Sequence, residues 1–121
     1  MLTYLKTLIF PDIKLAIILT TILKMLICVG TLTPLIEQID ASGSDKWHHF
    51  IAFAALVYPL TFASRSYWMP ASIFGLSLGA SIEFIQPYVN RFGDIKDLQA
   101  DMLGVSVGLL VGFLVRKIKP N

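Results

Sequence analysis

The sequence predicts an all-α membrane protein: four transmembrane helices in a compact bundle, folded as a single domain over 1–121. Three observations predict it. Of 121 residues, 55% are hydrophobic and 15% charged, against about a quarter charged in a soluble domain, and the mean hydropathy is +0.71. Such a chain lacks the polar residues to cover a water-facing surface. The apolar residues also fall into four blocks, Ile13–Leu32, 47–63, 68–86 and 98–115, each near the ~20 residues that cross the hydrocarbon as a helix. No segment alternates polar and apolar as a membrane barrel strand does, so the backbone must satisfy its hydrogen bonds within helices.

The elements follow in order. Residues 1–10 place Leu2, Leu5, Leu8 and Ile9 near one face with Lys6 opposite, and Pro11 ends the stretch. This reads either as a short helix in the membrane interface or as a frayed end. The first block is followed by Thr31-Leu32-Thr33-Pro34, not by a small-x-small cleavage pattern, and is expected to be retained as a span. Its Cys28 is the single cysteine of the chain and reads as a packing residue. Lys24 lies in mid-span at a cost of about 2.5–3.5 kcal/mol on insertion scales, and is expected to face the bundle and pair with Glu83 or Asp101. The second block opens with Asp45, Lys46, Trp47, His48 and His49, and the third opens with Trp68; the two tryptophans suit the headgroup level.

Charge sets the orientation. Lys6, Lys14, Arg65, Arg116, Lys117 and Lys119 fall on one side of a four-span chain. The other side carries Glu37, Asp40, Asp45 and Lys46 in one connection and Arg91, Asp94, Lys96 and Asp97 in the next. The positive-inside rule then puts both termini in the cytoplasm. The net charge of +2 is a topology signal, not a nucleic-acid footprint.

Polar residues inside the spans follow helical spacing. In the fourth block, Asp97, Asp101, Gly104, Gly108 and Gly112 recur every three or four residues and share one face. In the third, Ser72, Gly75 and Gly79 lead on one face to Glu83 and Gln86. Small residues at that spacing let helices approach closely. If the glycine stripes of the third and fourth spans pack together, Glu83, Gln86, Asp97 and Asp101 meet at the outer end, and Asp45 and His49 complete the rim. Adjacent residues point about 100° apart on a helix, so only one of His48 and His49 can join, and His49 shares the face of Asp45. The bland readings are packing for the glycines, N-capping for Asp45 and a favourable helix dipole for Asp97. Glu83 and Asp101, inside apolar spans, are functional by default.

No serine or cysteine sits beside a histidine in a nucleophile arrangement, and there is no phosphate-cradling loop, so no recognised enzyme class is indicated. No cofactor is expected. The one metal arrangement the spacing allows is a carboxylate-bound divalent cation among Glu83, Asp97 and Asp101.

These same residues resemble the VanZ-like family of small bacterial membrane proteins. The family's first signature is matched by Asp45, Lys46, His49, Phe50 and Phe53, and the second by Glu83, Gln86 and Arg91. The third is matched by Asp97, Ala100, Gly104 and Gly108, with Asp101 where the family has asparagine. The resemblance covers 33–115. It implies a multi-pass protein of the bacterial cytoplasmic membrane that influences susceptibility to teicoplanin-type glycopeptides. The partner expected from the polar convergence is a membrane lipid or a lipid-linked envelope precursor. Lys46 and Arg91 would attract its phosphate, while the acids and His49 would take its amine or hydroxyl groups. Two other readings stand beside it: a membrane-embedded enzyme using Glu83, Asp97 and His49 as acid and base, and a proton-coupled transporter using Glu83 and Asp101. The transporter would need a homo-oligomer held by free glycine faces.

Overall fold

The computed structural model describes residues 1–32, 44–89 and 95–119. Every described element is helical: α1 (Leu2–Ile9), α2 (Ile13–Leu32), α3 (Ser44–Ala63), α4 (Trp68–Ile85) and α5 (Ile95–Ile118). A 3-10 turn, Arg65–Tyr67, leads into α4 and another, Gln86–Val89, follows it.

Among the described residues three stretches are long and apolar enough to cross a membrane: Ile13–Leu32, Arg65–Tyr88 and Ile95–Ile118. The four spans expected from sequence therefore reduce to three that length and composition support. The exception is α3, whose first turns carry Asp45, Lys46, His48 and His49 and whose interior carries Pro59. Its packing explains the difference. α3 is the central helix, in contact with α2, α4 and most extensively α5, so it buries residues that lipid-facing helices cannot carry. Its Phe53, Leu56 and Thr61 are fully buried, and Val57 nearly so.

The outer surface is written for hydrocarbon. α2 exposes Ile17, Ile18, Ile22, Met25, Leu26 and Val29, and α5 exposes Leu103, Leu110 and Leu114. Contiguous apolar surface of that extent is intolerable in water and ordinary in lipid. The core is correspondingly small, with Ile27, Phe53, Leu56, Val57, Ala71, Ile82 and Val105 at its centre.

Helix contacts differ from the expected pairing of two glycine stripes. The α5 glycines face α3: a Cβ on Gly104 would strike the carbonyl of Phe50, one on Gly108 would lie 2.5 Å from the Ala54 carbonyl, and one on Gly112 would lie 2.9 Å from the Thr61 side chain. The α4 glycines instead receive side chains, Gly75 taking Val105 and Val57 and Gly79 taking Asp101. A stripe of small residues packs best against a backbone, and α3 offers its own at Phe50 and Ala54. All five glycines are thus filled from within the chain rather than left open for a second copy.

Local polar contacts hold the helix ends. Asp12 caps α2 by accepting the N–H of Leu15 at 2.8 Å. Pro59 leaves a gap in the α3 ladder, and Thr20 of α2 donates to the neighbouring Leu56 carbonyl at 3.2 Å. At the same end, Tyr58 donates to the Ile9 carbonyl at 2.6 Å, Arg116 donates to the Phe62 carbonyl, and the Lys119 ammonium lies 5.8 and 5.5 Å from the Phe10 and Phe62 rings. α1 buries no residue, and its C-terminal end is fastened to α3 by the Tyr58 bond.

Candidate functional site

Three helices deliver polar side chains to the end of the bundle where α3 and α5 begin and α4 finishes. From α3 comes His49, 4% exposed, while its neighbour His48 is exposed. From α5 come Asp97 and Asp101, one turn apart and both buried. From the end of α4 come Glu83, half-buried, and Gln86, buried.

The centre is a buried ion-pair geometry. His49 Nδ1 lies 2.7 Å from Asp101 Oδ1, and His49 Nε2 lies 4.0 Å from Asp97 Oδ2. With Asp101 ionised, Nδ1–H donates and the ring is held in one tautomer and orientation. Phe53, one turn along α3, stacks on the imidazole with an interplanar angle of 4°. Asp101 reaches this position because Gly79 has no side chain: a Cβ there would lie 2.9 Å from Asp101 Oδ2. The glycine is therefore a seat for a carboxylate as much as a point of helix approach.

Gln86 extends the cluster to α2. Its amide donates to the Thr31 carbonyl at 3.1 Å, tying the end of α2 to the end of α4. Thr31 is the residue the sequence reading missed; it takes part through its backbone carbonyl, its hydroxyl donating to the Ile27 carbonyl, so residue type carried no signal for it. His49, Glu83 and Asp101 also present ligand atoms within 4.8 Å of one another, so the group geometrically closest to a cation site contains the imidazole rather than three carboxylates. Lys46 is half-buried in the first turn of α3, and the side chain of Asp45 and the whole of Arg91 lie outside the described residues. Lys24 does not make the expected pairing: it is exposed, lines a groove between α2, α3 and α4, and forms no ion pair with Glu83 or Asp101. Hydropathy had placed it at mid-depth, but its position around the helix turns it to the groove described below.

The cluster is closed rather than an open polar bowl. Open space of about 350 Å³ lies beside it between α2 and α3, walled by Leu23, Leu26, Ile27, Ala52 and Phe53 and reached by Thr31, His48 and His49. The site is thus a hydrocarbon-lined groove with an oriented imidazole on its wall and carboxylates behind that imidazole.

A family model described as VanZ/LLP1 matches residues 13–116. The chain belongs to the VanZ-like family. The match takes in α2 to α5 almost whole, and so every VanZ-like residue described above. Together with its three apolar helices, it makes this VanZ-like chain a multi-pass membrane protein. No curated protein and no solved structure matches it.

Proposed function

We propose that this VanZ-like protein sits in the bacterial cytoplasmic membrane with four spans and both termini inside. At its outer end it binds the headgroup of a membrane lipid or lipid-linked cell-wall precursor. By that binding it alters susceptibility to teicoplanin-type glycopeptides. The observation that carries the reading is the juxtaposition of the buried His49–Asp101 pair with the apolar groove between α2 and α3. A hydrocarbon chain suits the groove walls, and a headgroup at its end meets Thr31, His48 and His49. Lys46 adds a cation for phosphate, and Glu83 a carboxylate for amine or hydroxyl.

The test is mass-spectrometric identification of lipid retained by gently purified protein, wild type against Glu83→Gln. Selective retention of one headgroup class, lost or broadened in Glu83→Gln, is expected; equal retention of every headgroup by both proteins sinks the proposal. The site is proposed to need no cofactor, so a chelator should leave retention unchanged. Loss on chelation would assign a divalent cation to His49, Glu83 and Asp101.

One observation favours a second reading, a membrane-embedded enzyme acting on a lipid-linked substrate. A histidine on a groove wall, oriented through Nδ1 by a buried carboxylate, is the arrangement of a general base. Alanine at His49, Asp97 and Glu83 in turn should then abolish the cellular phenotype without loss of folded protein. A full phenotype in all three rules the enzyme out.

A further inference from the structure

A second groove, of about 430 Å³, opens at the opposite end of the bundle between α2 and the start of α4. Its lining includes Lys24, Thr20 and Thr21 of α2, Leu60 of α3, Tyr67 and Phe74. None of the residues of the histidine–carboxylate cluster contributes to it.

The polar groups in this groove are unbalanced. Thr20 Oγ1 donates to the Leu56 carbonyl and Thr21 Oγ1 to the Ile17 carbonyl, so both hydroxyl hydrogens are spent. The Lys24 ammonium and the Tyr67 hydroxyl make no hydrogen bond or ion pair among the described residues, and both residues line the groove. What remains is a set of donors with no acceptor, and an ammonium offers three of them. Helical side chains lean toward their N-terminus, which sends the Lys24 stem along the row of Thr21, Thr20 and Ile17 toward Tyr67.

We propose that this groove binds the phosphate-bearing headgroup of an anionic membrane lipid, with Lys24 and Tyr67 as donors and Leu60 and Phe74 as walls for its chain. Charge complementarity selects the anion, and the apolar walls inside a membrane-spanning bundle select a lipid. A carboxylate from a second copy is disfavoured: at this end the acid among the described residues is Asp12, already occupied in capping α2. Under the charge rule this end faces the cytoplasmic leaflet, where anionic lipids give the surface its negative potential. The proposal is independent of ligand binding at the outer end.

The experiment places the full chain in nanodiscs of phosphatidylglycerol and phosphatidylcholine and measures which lipid stays bound after gentle release. Wild type should favour phosphatidylglycerol by about tenfold. Lys24→Met should bring the ratio near unity, Tyr67→Phe should lower it in part, and Lys24→Arg should keep it. Lys24→Met removes a charge from a span, so insertion is not impaired. Lys117→Met should leave the preference intact, because it removes an exposed cation that does not line the groove. An unchanged preference in Lys24→Met overturns the proposal, as does loss of the preference in Lys117→Met. Displacement of the lipid by inorganic phosphate alone, or conversion of a wild-type dimer to monomer by Lys24→Met, would also overturn it.

Discussion

His49 is held by a partner that itself depends on a missing side chain. The 2.7 Å contact with Asp101 exists because Gly79 leaves room for the carboxylate, so three residues from three helices form one unit. Removing one member of a buried pair typically costs about 3–5 kcal/mol, much of it the penalty of the charge left behind. We therefore expect His49→Phe and Asp101→Asn to be non-additive in detergent melting, with a coupling of about 1–3 kcal/mol. Gly79→Ala should destabilise by displacing Asp101, and should cost much less once Asp101→Ala has removed the clash. Strict additivity in both cycles would mean that the pair carries no energy. The division of labour between the histidines was legible in the sequence, because a 100° step separates adjacent helical residues; one is buried here and the other exposed. The seat on Gly79 was not legible. Spacing gives the face on which a glycine lies and is silent about what fills it.

Helix packing separates glycines that look alike in the sequence. A methyl group on Gly104 or Gly108 would meet α3 backbone, which has no rotamer to move, whereas nothing lies within 4 Å of the same position on Gly30. Overpacking of this kind costs about 1–3 kcal/mol, while alanine in an open helix interior gains about 0.5–1 kcal/mol over glycine. Gly104→Ala and Gly108→Ala should each lower the melting temperature, and Gly30→Ala should hold or raise it; equal effects at all three would contradict the close α3–α5 approach. The α5 stripe was visible in the sequence as a narrow small-residue face, but its partner was not, because α3 has no stripe of its own and answers with backbone. The same limit applies to Lys24. A hydropathy profile fixes how deep a residue lies, and only the packed neighbours fix which way it turns.

At the level of the whole molecule, the helical class and the apolar exterior were readable from composition, since too few polar residues were available for any other surface. The number of crossings was harder to read. α3 packs against α2, α4 and α5 and buries His49 among them, but its polar first turns lower its hydropathy and leave it outside a criterion based on apolar length. The proposed topology is tested with single cysteines in a Cys28→Ser background. An impermeant thiol reagent added to intact cells should label Ser42→Cys, in the connection before α3, and leave Ser66→Cys unlabelled until the membrane is opened. Labelling of both from outside, or of neither, would rule out the four-span arrangement with internal termini.

The aromatic clasp at the end of α3 also constrains the order of assembly. Phe10 is synthesised early, Tyr58 and Phe62 midway, and Arg116 and Lys119 only after nearly all of α5 has left the ribosome, yet these residues meet at one point. Until α5 has been inserted, the Phe62 carbonyl lacks its guanidinium and the paired rings lack their ammonium. The clasp therefore acts as a closing knot, tied only when α1, α3 and α5 have all reached the same end of the bundle. A chain stalled before α5 would keep that knot open and offer the surface an untied end.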